Sequence, residues 1–306
     1  MTKPSWHILG AGSIGCLWAY KLASAGLNVS LIFRSAAKAE NFSQKGLTVI
    51  EGHKTLHVNV PATTVERLQS QSIERVIVAT KSWQCISALN AVKNALVENA
   101  EVVLLQNGYG QLQQAKPLLL AQRCYVASTT DGAFLSDQTT LNIAGLDKTL
   151  IGPYNDKATV APSSLPFTEP VNDIEAILWR KLCINAVINP LTAIHNVQNG
   201  ELLKAPAIMH TIDLLSAELA LITQASGHIF LDQKTIHQAV CDVAKATANN
   251  SSSMRQDVLL GKQTEAEEII GFLIKTALQK HIETPSLTEL ESLLLKKQSA
   301  LQQSPH

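Results

Sequence analysis

Apolar residues in the first half of the chain come in short unbroken runs. "WHILGAG" (6–12), "NVSLIFR" (28–34), "RVIVATKS" (75–82), "EVVLLQNGYG" (101–110) and "RCYVASTTDGAF" (123–134) each read as one strand ending in polar or glycine-rich residues. Runs without alternation suit strands covered on both faces, as in a parallel sheet flanked by helices. Residues 13–25 carry Ile14, Leu17, Leu22 and Ala25 on one helical face, with Gly26 as the stop. "TLNIAG" (140–145) and "KTLIGP" (148–153) read as a short antiparallel pair at the sheet edge. The period then changes. After "YNDKATVAPSSLPFTEPVND" (154–173), rich in proline and small polar residues, apolar positions recur every three to four residues. Ile208, Ile212, Leu215, Leu219 and Ile222 give one core-facing amphipathic helix over 206–226, and 265–280 give another. The tail 298–306 reads as frayed. The expected fold is α/β: an N-terminal Rossmann-type doubly wound sheet over 1–168, then an all-α domain over 169–306. The boundary is placed around Pro166 to Pro170.

Composition narrows the class. A length of 306 residues suits two domains at about 150 residues each. The 25 basic and 25 acidic residues cancel, which gives no electrostatic footprint for nucleic acid. Five scattered cysteines without a CxxC read as reduced thiols of a cytoplasmic protein. No apolar run approaches the ~18 residues of a membrane span, and "MTKPSWHILGAGSIG" has no signal-peptide core. The histidines are too dispersed to suggest a metal site. Oligomeric state, monomer or homodimer, is not legible in this pattern.

The first candidate chemistry is "GAGSIG", Gly10-Ala11-Gly12-Ser13-Ile14-Gly15, between the first strand and the first helix. Gly10 permits the tight turn, Gly12 lets backbone approach a pyrophosphate, and Gly15 allows close helix–strand packing. An NAD enzyme usually ends its second strand with an acid; here Arg34 stands there. A guanidinium matches a 2′-phosphate, so NADPH is the expected cofactor, against the plainer reading of a solvated strand-end cation. Lys81 and Asn107 follow two further strands, at the carboxyl edge where open α/β sheets bind ligands.

The second candidate lies in "LWRKLCINAVINPLTA" (178–193), which spaces Lys181, Asn185 and Asn189 by four. Each step of four drifts only about 40° around a helix, so the three form a narrow polar stripe. A lone lysine there reads most simply as a solvated head on a packed stem. Two asparagines in line with it favour a shared ligand, since buried amides are costly without partners. Pro190 follows at once, lacks an amide hydrogen, and predicts a kink. In "NNSSSMRQD", Ser253 stands three before Gln256 and reads as a helix N-cap. Glu265 falls in the first turn of the next helix, where the dipole favours a carboxylate.

Taken together, "GAGSIG", "TKSWQ", "QNGYG", "LWRKLCINAVINPLTA", the "NG" before "ELLKAP", "NNSSSMRQD" and "TEAEEIIG" make the chain resemble the ketopantoate reductase family over nearly its whole length. The resemblance implies a Rossmann domain followed by a helical domain, with substrate between them. It implies NADPH-dependent reduction of 2-dehydropantoate, a small 2-keto acid, to (R)-pantoate. It assigns Lys181 and Glu265 to catalysis. It assigns Asn185, Asn189, Asn199, Asn250 and Ser253 to the substrate. The loop from Gly10 to Gly15, Lys81, Asn107, Ala133 and Glu265 fall to the cofactor side. A related reductase of another 2-keto acid, or an NADPH-binding regulator without catalysis, are the alternatives.

Overall fold

The computed structural model describes residues 5–158, 161–162 and 165–303. The chain divides into two compact units, Met1–Gln106 with Gln111–Ile174, and Asn107–Gly110 with Glu175–His306.

Unit 1 holds, in chain order, β1 (Ser5–Leu9), α1 (Ser13–Ser24), β2 (Asn28–Phe33), α2 (Ala36–Lys45), β3 (Leu47–Glu51), β4 (Lys54–Val58), β5 (Ala62–Thr64), β6 (Ile73–Val78), α3 (Cys85–Val92) and β7 (Leu96–Leu104). After α4 (Gly110–Ala115) come β8 (Arg123–Thr129), β9 (Gly132–Leu135), β10 (Thr140–Gly145), β11 (Thr149–Pro153) and β12 (Thr168–Pro170). An eight-stranded sheet runs β12-β11-β8-β7-β6-β1-β2-β5. Its neighbours are parallel except β8 and β11. Strand order reverses at β1, which places the glycine loop at a topological switch point. The unbroken apolar runs are explained by burial: Ile8, Leu31, Val76, Ile77, Val102 and Val103 are all sealed from solvent.

Three expectations fail in this unit. The run 123–134 is two strands, β8 and β9, in different sheets. Residues 140–145 and 148–153 do not pair with each other. β10 joins a second, four-stranded sheet β4-β3-β10-β9, and β11 lies against β8 and β12. The reason sits at two corners. Asp131 Oδ1 accepts the Asp147 backbone N–H at 2.9 Å, and Thr130 Oγ1 donates to Asp147 Oδ2 at 2.9 Å. Lys21 of α1 pairs with buried Asp131 at 2.5 Å. Both chain corners are thus latched together, and each sends its next strand into the other sheet. The third failure concerns the stretch read as a linker. Thr168–Pro170 is strand, paired in parallel with β11; residues 159–160 and 163–164 of that stretch lie outside the described residues.

The second unit is built on α5 (Ile174–His195), α6 (Pro206–Ala225), α7 (Gln233–Ala246), α8 (Ser253–Leu259), α9 (Phe272–Gln279) and α10 (Pro285–Gln303). Leu182, Cys183, Ala186 and Val187 of α5 are buried, as the stripe geometry requires of its flanks. α5 continues through Pro190, where a kink is expected, to His195. α6 is long and apolar enough to cross a membrane. Its Ile212, Leu215, Leu219 and Ile222 are nevertheless buried in the unit core, and its Glu218 takes the backbone N–H groups of Ser286 and Leu287. The helix expected over 265–280 opens as a π-helical turn, Glu267–Gly271, before α9. The tail expected to fray is helical as far as Gln303, and residues 304–306 lie outside the described residues.

Candidate active site

In the loop after β1, Gly10 has φ +109°, and a methyl added to it would lie 2.8 Å from the Thr80 backbone nitrogen. A methyl at Gly15 would lie 1.8 Å from the Gly10 carbonyl oxygen. The chain's own backbone therefore demands both glycines. Gly12 differs: a methyl there would meet nothing within 4 Å. Its side of the loop is an open cradle at the N-terminus of α1, whose first turn carries no acid. Ala11 and Ile14 pack on the unit 1 core, as does Ala133 of β9. Ser13 opens the helix. The Thr80 hydroxyl is buried beside Gly10 with no hydrogen bond among the described residues. Sequence reasoning missed Thr80, because a threonine ending an apolar strand is unremarkable until its neighbour is a glycine turn. Arg34 stands exposed directly after β2, and no acid precedes it in that strand. Lys81 caps a short 3-10 turn, its ammonium 5.6 Å from the Trp83 ring. Open cradle, acid-free helix terminus and strand-end guanidinium all fit a phosphorylated dinucleotide.

Unit 2 assembles the other residues. On α5 Lys181 is half-buried, and burial lowers its pKa from 10.5 to about 8 against the opposing pull of the Glu265 carboxylate. Glu265 is itself 7% exposed and accepts from Asn107 Nδ2 at 3.4 Å. Asn185 and Asn189 follow Lys181 along the helix, and Asn189 is 9% exposed. Their side-chain amides make no hydrogen bond among the described residues, unlike Asn199, whose Nδ2 donates to Thr247 Oγ1 at 2.8 Å. The Asn199 backbone N–H also donates to the Asn250 carbonyl at 3.1 Å, which joins these two positions. Asn199 Oδ1 is buried and lacks a hydrogen bond among the described residues. Asn250 and Ser253 are exposed.

Ser253 is not the N-cap. That role belongs to Ser252, whose Oγ accepts the Arg255 N–H at 3.1 Å. Moving the cap back one residue makes Ser253 the first helical residue and leaves its hydroxyl unused by the cap.

The segment 107–110 is held in place by residues that pattern alone does not select. The Tyr109 N–H donates to the Glu268 carbonyl at 3.3 Å, within the π-helical turn. Gly108 has φ +85°, and a methyl there would lie 2.7 Å from that same carbonyl. The Tyr109 ring sits 5.3 Å from both Trp179 and Phe272, and its hydroxyl donates to Glu175. Asn107 thus meets Glu265 because Tyr109 anchors the loop to α5 and α9. A π-helical turn at such a place is a frequent mark of a functional site. Among the described residues no three His, Cys, Asp or Glu side chains gather as metal ligands would.

The family model of ketopantoate reductase PanE/ApbA matches residues 6–156, and that of its C-terminal part matches 173–298. The chain belongs to the ketopantoate reductase family. With that membership it is an oxidoreductase with a Rossmann-like sheet and a helical C-terminal region. The 2-dehydropantoate 2-reductase of Vibrio cholerae serotype O1 is 29% identical over 310 residues, 97% of either chain. That of Bacillus subtilis is 30% identical over 280 residues, 88% of this chain and 89% of that one. The solved structure of the probable 2-dehydropantoate 2-reductase of Bacillus subtilis superposes with a TM-score of 0.78 at 27% identity, covering 96% of this chain and 100% of that one. D-mandelate dehydrogenase with NADH and anilino(oxo)acetate shares the fold, at TM-score 0.90 and 20% identity over 97% and 99% of the two chains.

Proposed function

We propose that the chain reduces 2-dehydropantoate to (R)-pantoate with NADPH, and that Lys181 is the proton donor. The observation that carries this reading is half-buried Lys181, whose ammonium feels the Glu265 carboxylate and stands in line with Asn185 and Asn189 on α5. A pKa near 8 keeps it protonated at neutral pH yet able to give the proton up. When bound, NADPH would supply the hydride that the carbonyl carbon needs. Lys181 stabilises the charge growing on the carbonyl oxygen and protonates it, which completes the alcohol. Asn185 and Asn189 present amides to the substrate along the same stripe. Asn199, Asn250 and Ser253 complete the substrate side, and Glu265 accepts a hydrogen bond from the 4-hydroxyl. On the cofactor side, Gly12 and the first amides of α1 receive the pyrophosphate, and Arg34 pairs with the 2′-phosphate. Lys81, Asn107 and Ala133 line the remainder.

The deciding assay follows NADPH oxidation with 2-dehydropantoate and with 2-keto acids lacking the 4-hydroxyl. Preferential turnover of 2-dehydropantoate is expected. Preference for an acid without that hydroxyl overturns the substrate assignment, and no turnover with any of them overturns the enzymatic reading.

A further inference from the structure

Two stretches of unit 2 that carry proposed substrate residues meet at one buried pair of hydroxyls. Thr192 lies on α5 three residues beyond Asn189 and is fully buried. Ser252 stands between Asn250 and Ser253 and is 7% exposed. Their oxygens are 2.7 Å apart.

The direction of that bond follows from the other contacts. Thr192 Oγ1 lies 2.8 Å from the Ile188 carbonyl and 2.9 Å from that of Asn189. Carbonyls only accept, so the single Thr192 proton goes to them. Ser252 Oγ already accepts the Arg255 N–H, and its own proton is therefore the one shared with Thr192. The chain of donors runs from the Arg255 amide to Ser252, to Thr192, and onto the α5 backbone at Ile188 and Asn189. Each hydroxyl both donates and accepts.

Residues 250–252 have no regular structure of their own. One end is tied by Asn199 N–H to the Asn250 carbonyl at 3.1 Å. The other end is tied from inside by the hydroxyl pair and from outside by Arg255 Nε donating to Asn196 Oδ1 at 2.9 Å. We propose that Thr192 is a positioning residue for the keto acid, fixing the segment 250–253 through Ser252 against the stripe on α5. This rests on the substrate roles proposed above for Asn189, Asn250 and Ser253. Thr192 touches no substrate in this scheme; it sets the register between the elements that do.

Thr192→Val keeps the side-chain volume and removes the hydroxyl. It is expected to raise KM for 2-dehydropantoate about tenfold, with kcat and KM for NADPH within about twofold of the parent, and Thr192→Ser is expected to restore the parent value. Ser252→Ala, which also removes the α8 cap, is expected to raise that KM at least as far as Thr192→Val, and the double variant no further than Ser252→Ala, because the bond between the two hydroxyls is then already lost. Amide hydrogen exchange at 253–256 is expected to quicken in Thr192→Val, a readout independent of turnover. An unchanged KM in folded Thr192→Val overturns the proposal, as does a double variant whose effect is the product of the two single effects. If Thr192→Val does not fold, Ser252→Ala takes its place, and an unchanged KM there overturns the proposal equally. A parent protein that reduces no keto acid sinks the proposed function instead, and exchange at 253–256 that stays equally slow sinks the hydroxyl coupling on its own.

Discussion

In the loop of unit 1 the backbone itself accounts for Gly10 and Gly15, whereas nothing within α5 accounts for Lys181, Asn185 and Asn189. The loop is a local problem: its clashes are with Thr80 and with its own carbonyl. The stripe is a long-range one. Lys181 feels Glu265, and Glu265 meets Asn107 from 158 residues away in sequence. The difference teaches where to look for a ligand. A residue that the fold demands says little about chemistry. Gly12, which the protein does not crowd, and the asparagines of the stripe, whose amides bond no described residue, say more.

The comparison breaks most visibly at Lys181. Lys181→Ala is expected to lower kcat about a thousandfold while the protein stays folded, the range in which a positioned proton donor acts. Steady-state kinetics with near-normal kcat would remove Lys181 from the chemistry. The two kinds of glycine separate next. Gly15→Ala is expected to cost about 3 kcal/mol or more of stability, since its methyl has no room. Gly12→Ala is expected to leave the melting temperature almost unchanged and to weaken NADPH by about tenfold, through loss of backbone approach to the pyrophosphate. Equal melting losses for both would erase the distinction drawn between them. Arg34→Glu should weaken NADPH by about tenfold and NADH by no more than about twofold. Titration with both cofactors checks this, and equal losses would refute the 2′-phosphate contact.

The smallest effect concerns pH. The acid form of Lys181 is the active one, so kcat/KM is expected to fall as pH rises through about 8. The Glu265 carboxylate raises that pKa, so Glu265→Gln is expected to move the alkaline limb to lower pH. A limb that moves upward would contradict this arrangement of charges. Stability carries the matching sign. Folding lowers this lysine's pKa, so the unfolded chain binds the proton more strongly between pH 8 and 10.5. The penalty for burying the charge is whole below pH 8 and fades as pH rises to 10.5. Lys181→Met should therefore be more stable than the parent at neutral pH, with an advantage that shrinks across that interval.

Legibility followed the range of the interaction. Helix α1 and its stop at Gly26, the apolar strands, and the buried face of α6 are set by neighbours within a few residues, and their pattern shows them. The capping spacing of Ser253 and Gln256 pointed one residue too far, because Ser252 offers the same hydroxyl and tertiary contact with Thr192 selects it. The second sheet escaped notice because β10 and β11 are parted by Asp147, whose partners Thr130 and Asp131 no local pattern reveals. Tyr109 and Thr80 were missed for a like reason: each becomes informative only through what it touches.

The sequence by itself determined a glycine loop between strand and helix, a strand ending in arginine without an acid, and a polar stripe of period four on an apolar helix. These rest on backbone sterics and helix geometry, which act over one or two turns. Only the tertiary structure decided that Glu265 lies near enough to act on Lys181, that Asn107 reaches Glu265, and that Ser252 caps α8. Those are meetings of residues far apart in the chain, fixed by which faces the core must bury and which buried polar groups must find partners.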